Sequence, residues 1–325
     1  MSTTITLPKF ELKMGAATRD AYGKALADLG RKNPNVIVLD ADLAKSTKTS
    51  VFAKEFPNRF LTAGIAEADM VGIAGGLAES GKIVFASSFS VFLLCRGFDQ
   101  LRIAVALPKM NAKFVGSHGG ISIGEDGPSQ MSVEDYALAC ALAGFAVLSP
   151  ADEVSTRALV FRAAEHKGPL YMRVGRPKVP VIYAQDDDNF QIGKARVLIE
   201  GHDIALIGCG LMVAECLRAA ETLAEEGISA MVVDMHTLKP IDVDTVAAAC
   251  KTGAIVTAEE HLLDGGLGSQ VARAAAGVSP VPMEFVGIHD TYAESGTPEE
   301  LLEKYGLTAK NVLAAARRAL KRKKK

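Results

Sequence analysis

Short apolar runs and amphipathic stretches alternate along the whole chain. In its first half the pattern predicts strands at Val36–Leu39, Ile83–Ala86, Ala112–Val115, Ala146–Leu148 and Leu170–Arg173. Between them lie helical stretches at Thr18–Leu29, Ala66–Glu79, Gly97–Ala106, Val133–Ala143 and Glu153–Ala164. Strands that alternate with helices of this length require crossover connections and so a mostly parallel sheet. Several strands are apolar throughout, as expected where helices cover both faces. After Arg176 the rhythm breaks: Pro177, Pro180 and the acidic Asp186–Asn189 mark residues 177–192 as a linker. A second series follows, with strands at Ile204–Ile207, Ala230–Val233, Ala254–Ala258 and Met283–Val286. Its helices are expected at Val213–Glu225, Val243–Cys250, Ser269–Ala275 and Ala309–Lys321. The predicted fold class is α/β, in two consecutive domains at 1–176 and 193–325, each a mostly parallel sheet flanked by helices.

Composition narrows the function more than the fold. The 325 residues are 49% hydrophobic and 23% charged, an ordinary globular balance. A formal net charge of −2 gives no electrostatic footprint for nucleic acid. The one basic run, Lys321–Lys325, reads as a solvated terminus. The residues Met1–Phe10 are too polar for a signal peptide, and no apolar run approaches membrane-spanning length. The chain opens on Met1 and does not read as truncated. Five cysteines, an odd number with no C-x-x-C pair, predict a reduced, cytoplasmic compartment and no zinc site.

Ligands of open α/β sheets sit beyond the carboxyl ends of the strands. The polar loops there are Asp40–Ser46, Ser87–Phe89, Gly116–Gln130 and Gly175–Pro177. A further carboxylate, Glu67, stands where the extended Leu61–Ile65 segment enters a helix whose Gly72, Gly75 and Gly76 would let it pack closely on a neighbour. Position alone favours an ordinary N-terminal carboxylate stabilised by the helix dipole. Its neighbours Ile65, Ala66, Ala68, Met70 and Val71 instead suit a desolvated carboxylate able to donate a proton to a heterocycle, with Asp69 against that reading.

The stretch from Gly64 to Ala78 resembles the glutamate helix of transketolases. The loop Gly124-Glu125-Asp126-Gly127-Pro128-Ser129-Gln130 is similar to their substrate-channel loop, in the version carrying Gln where many members have His. Thr257–His261 and Gly265–Ser269 extend the resemblance into the second domain, so it covers essentially the whole chain. It implies that Glu67 hydrogen-bonds N1′ of the aminopyrimidine of thiamine diphosphate and favours the imino tautomer that removes the C2 proton. The carbanion chemistry, transfer of a two-carbon unit from a ketose to an aldose, belongs to the cofactor. Phe89 and Phe92 match the aromatics that pack on the aminopyrimidine, with core packing the competing reading for Phe92. His118 and Asp126 have the spacing of the channel His and Asp, so the resemblance gives His118 a catalytic role and both a contact to sugar hydroxyls. Gln130 keeps a hydrogen bond to substrate but removes a titratable group. Arg19, Ser46 and Arg176 fall to the substrate phosphate, with Asp42 at an acceptor hydroxyl; a guanidinium fork suits phosphate oxygens. Otherwise Arg19 is an exposed first-turn cation and Arg176 an interdomain ion pair. Arg173, on the opposite face of its strand, is given no role.

The family's other half holds the diphosphate through Mg²⁺ with a Gly-Asp-Gly motif followed by an Asn, and this sequence has no Gly-Asp-Gly. The expectation is therefore a split enzyme. A separate N-terminal transketolase subunit would hold Mg²⁺, share thiamine diphosphate at the interface and act on phosphorylated sugars, in a heterotetramer built on self-dimerisation. No nucleic-acid or membrane partner is expected. The pathway by default is that of the pentose phosphates. The alternatives are the β subunit of a 2-oxoacid dehydrogenase E1 component and a noncatalytic transketolase-like assembly subunit; a 1-deoxyxylulose-phosphate synthase fragment fits less well. His261 and His289 are read as structural, and the second domain as serving docking and dimer contacts.

Overall fold

The computed structural model describes residues 5, 7, 8 and 10–323; most of the Met1–Phe10 segment, with Lys324 and Lys325 of the basic run, lies outside the described residues. Two α/β sheets carry the chain. The first has seven strands in the spatial order Thr237–Lys239, Ala146–Leu148, Leu170–Val174, Ala112–Ser117, Ile83–Phe89, Val36–Asp40 and Phe60–Thr62. All pair in parallel except the Thr237–Lys239 edge, which comes from the second half of the chain and runs antiparallel. The second sheet orders Met283–Ile288, Ile255–Leu262, Ile204–Gly208, Ala230–Asp234 and Arg196–Ile199, with only the last antiparallel. The apolar strands are buried on both faces, as their sequence requires.

Several details differ from the sequence pattern. The helix expected at Gly97–Ala106 begins at Ser90, directly after a strand, and runs to Gln100 before a wider π-type turn over Leu101–Ala106. The continuous apolar run Val91–Leu94 has no period that would mark that start. The 177–192 segment is tied down. Lys178–Pro180 pairs antiparallel with Met14–Ala17, Tyr183 and Phe190 are buried, and Asp187 pairs with Arg196 at 2.9 Å. The basic terminus, read as solvated, is docked through its described residues. Arg322 donates to the Met283 carbonyl at 2.7 Å, and Lys323 to those of Thr252 and Asp203 at 2.6 and 2.9 Å.

The two halves share a buried polar seam. Arg173, 6% exposed, donates to the carbonyls of Ser132 and Glu260, both at 2.7 Å, and pairs with Asp135 at 3.1 Å. Tyr171 donates to the same Asp135 at 2.6 Å. Arg173, without an assigned role in the sequence, thus joins the domains. Glu259 accepts the N–H groups of Leu267 and Gly268 at 2.6 and 2.7 Å, which fixes the Gly265–Ser269 turn. His261 is fully buried, bonds the Leu262 carbonyl at 2.6 Å and stacks on Tyr136, as its structural reading expects.

Candidate active site

Strand ends gather the candidate residues. Glu67 opens the Glu67–Glu79 helix and is only 2% exposed. Its Oε1 accepts from the Ser88 hydroxyl at 3.0 Å and its Oε2 from the Arg96 guanidinium at 3.3 Å. Ser88 lies in the predicted polar loop Ser87–Phe89, but the sequence singles out neither it nor Arg96. Ser88 sits one residue before the strand-end Phe89, and Arg96 lies one turn beyond Phe92 on the same helix face. That helical spacing was the available signal. Gly97 makes the approach possible: a Cβ there would stand 3.1 Å from Val71 and 3.7 Å from the Glu67 carbonyl.

A cleft of ≈ 250 Å³ opens beside the carboxylate, lined by Asp42, Ile65, Glu67, Phe92, Arg96 and Gln130 among others. Of the two aromatics it is Phe92 that faces the cleft. Phe89 lies behind it, stacked at 5.7 Å and 12°, and is itself buried. Phe89 also stacks on the His118 ring at 3.9 Å.

His118 follows the Ala112–Ser117 strand in the left-handed region, φ +61°, a conformation uncommon for a non-glycine residue. Its Nε2 meets the Arg19 guanidinium at 2.8 Å and its Nδ1 the Ser117 hydroxyl at 2.7 Å. Because arginine only donates, Nε2 must be the accepting nitrogen and Nδ1 carries the proton. Burial, then the nearby cations Arg19, Arg176 and Lys48, push the imidazole pKa down to about 3. His118 is therefore a neutral hydrogen-bonding group at physiological pH.

Arg19 also donates to the Ser46 carbonyl at 3.2 Å, which joins three of the expected substrate residues, and burial lowers its pKa. Arg176 bonds the Ile123 carbonyl and pairs with Glu125 at 2.9 Å, inside its own domain and not across to the second. Glu125 is exposed, so a phosphate dianion could displace it at small cost. Asp42, with φ +65°, and Asp126 are both exposed. Asp40, in contrast, is consumed internally: it accepts from the Leu43 N–H and the Thr47 and Thr49 hydroxyls at 2.6, 2.7 and 2.8 Å, shaping the loop that presents Asp42 and Ser46.

The second domain braces this site. Glu260 accepts the Ser122 N–H at 2.6 Å. The channel-like loop seats Gly124 against Gly296 and Pro298, and Gly127 against Ser295; both glycines have positive φ. Its role extends beyond docking, since it holds the loop that carries Asp126 and Gln130.

A parallel sheet whose strand ends set a buried glutamate beside stacked aromatics defines the pyrimidine-binding half of a thiamine-diphosphate enzyme, here with a companion α/β domain. Comparison with known proteins makes this particular. A family model described as the transketolase pyrimidine binding domain matches residues 14–181, and one for the transketolase C-terminal domain matches 193–312. The chain belongs to the transketolase family, as the Glu67 helix and the Gly124–Gln130 loop led us to expect. Membership implies dependence on thiamine diphosphate.

A protein of Methanocaldococcus jannaschii, named provisionally as a transketolase C-terminal section, is 44% identical over 94% of this chain and 96% of its own length. A 6-deoxy-6-sulfo-D-fructose transketolase subunit of Clostridium sp. is 41% identical over 97% and 98%. A solved split-gene transketolase, an inactive β4 tetramer, superposes with a TM-score of 0.89 at 49% identity, covering 95% of this chain and 100% of that one. Other relatives are longer, and the chain spans about half their length.

Proposed function

We propose that this chain is the C-terminal subunit of a two-chain transketolase, moving a two-carbon ketol unit from a ketose phosphate to an aldose phosphate. The observation that carries the reading is Glu67: a carboxylate buried at a helix start, opening onto a cleft walled by Phe92. That pair suits one end of thiamine diphosphate, with Glu67 at the aminopyrimidine N1′ and Phe92 against its ring. When bound, the cofactor supplies the carbanion chemistry. Glu67 holds the proton that the ring nitrogen shares. His118, neutral and fixed by Arg19 and Ser117, orients sugar hydroxyls together with Asp126 and Gln130. Arg19, Ser46 and Arg176 bind the substrate phosphate, with Asp42 at an acceptor hydroxyl.

The sequence lacks the Gly-Asp-Gly motif with which the family holds the diphosphate, so we assign Mg²⁺ and that end of the cofactor to a separate N-terminal subunit. The surface for it is on the Glu67 helix and its neighbours. Leu61, Ile65, Ile73, Ile103 and Leu107 are exposed by 46, 77, 37, 49 and 74%. A Cβ on Gly75 would stand 2.7 Å from the Ala104 carbonyl, whereas one on Gly72 or Gly76 would meet no neighbour within 4 Å among the described residues. Such an apolar face fits burial by the partner and a second copy, giving a heterotetramer of two of each chain. The unpaired cysteines support a cytoplasmic site of action, and pentose phosphates remain the default substrates. Co-expression with a Gly-Asp-Gly-bearing partner, followed by a panel of phosphorylated, branched and sulfonated sugars, tests the reading. Absence of ketol transfer from every donor would count against it.

A further inference from the structure

We infer that Arg96 is a positioning residue for Glu67, an inference that rests on the function proposed above. The carboxylate of Glu67 is pinned at both oxygens, by Ser88 from the sheet side and by Arg96 from the cleft side. Ser88 is fully buried, whereas the Arg96 side chain is 53% exposed and lines the cleft. A ring entering the cleft therefore meets the Oε2 edge, where Arg96 stands. The guanidinium is held there by the face of Phe92, 4.4 Å from the ring centroid, so one aromatic serves as both ring platform and arginine platform. Arg96 thus fixes the plane of the carboxyl group and keeps its buried Oε2 hydrogen-bonded. Among the described residues lining the cleft, the remaining charged group, Asp42, is acidic and exposed, as is Asp69 on the Glu67 helix.

The test uses Arg96→Ala and Arg96→Lys, each alone and with Glu67→Gln, in two settings. In the isolated chain, thermal midpoints form a double-mutant cycle. Arg96→Ala lowers the midpoint when Glu67 is present and has a much smaller effect beside Glu67→Gln. In the chain reconstituted with its partner, two quantities are read: cofactor affinity by titration, and deuterium exchange at C2 of the bound thiamine at saturating cofactor. Arg96→Ala slows exchange by about tenfold or more, since a misplaced acid–base group loses at least that much, and Arg96→Lys restores most of it. KM for the sugars changes far less than exchange does, because Arg19 and Arg176, assigned above to the substrate phosphate, do not line the cleft in which Arg96 stands. Equal midpoint losses in both Glu67 backgrounds, or undiminished exchange in Arg96→Ala, overturn the inference. Undiminished exchange in Glu67→Gln itself would instead overturn the underlying function.

Discussion

The rings of Phe89 and His118 lie stacked, centroids 3.9 Å apart and 25° between their planes, across the ends of two neighbouring parallel strands. His118 and the aromatic pair Phe89 and Phe92 are therefore one packed unit.

Replacing Glu67 by Gln keeps the hydrogen bond from Ser88 but removes the ionisable group. In the reconstituted enzyme kcat/KM is expected to fall by about 10²–10⁴-fold, the range for a lost acid–base partner. The circular dichroism of the isolated chain should not change. A loss smaller than about tenfold would favour a noncatalytic assembly role.

His118 makes stability depend on pH in a stated direction. Its folded pKa of about 3 lies below the ordinary 6.5, so between those values the unfolded chain binds the extra proton. Its contribution is whole above pH 6.5 and is lost as the pH falls towards 3. His118→Asn, whose side chain tolerates the left-handed backbone, should flatten the fall in thermal midpoint through that range. Some slope will remain from His236, whose pKa burial pushes down to about 4. An unchanged slope would mean that His118 is solvated.

How far the sequence reaches is clear from these residues. That Glu67, His118 and Asp126 stand at a helix start or on loops beyond strand ends is legible because each belongs to a local string, whereas the sequence leaves core packing open for Phe92. The parallel strands were legible because burial on both faces leaves an unbroken apolar run. Arg96 and Arg173 were not, since their meaning lies in partners far along the chain: Glu67 for one, Ser132 and Glu260 for the other. The helix start at Ser90 was hidden by an apolar run without period. The Thr237–Lys239 edge strand was missed because its partner, Ala146–Leu148, lies in the other domain.

Removing Arg173 leaves Asp135 buried without its cation. Arg173→Met should cost about 3–5 kcal/mol in urea unfolding, the range for breaking a buried pair from one side. Adding Asp135→Asn should recover part of it. A loss below about 1 kcal/mol would show the seam to be solvated and of surface character.

The exposed apolar face predicts assembly. Ile65→Glu and Ile73→Glu should leave the circular dichroism of the chain intact and reduce its mass by light scattering, as well as its capture of the N-terminal partner. Unchanged mass and capture would place the interface elsewhere.

The central claim is that Glu67 belongs to a site completed by a second chain. The direct measurement is calorimetric titration of thiamine diphosphate with Mg²⁺ into this subunit alone, and into the same subunit mixed with its Gly-Asp-Gly-bearing partner. We predict weak or no binding to the chain alone and tight binding to the mixture, with ketol transfer appearing only there. Tight binding and turnover by the chain alone would contradict the claim.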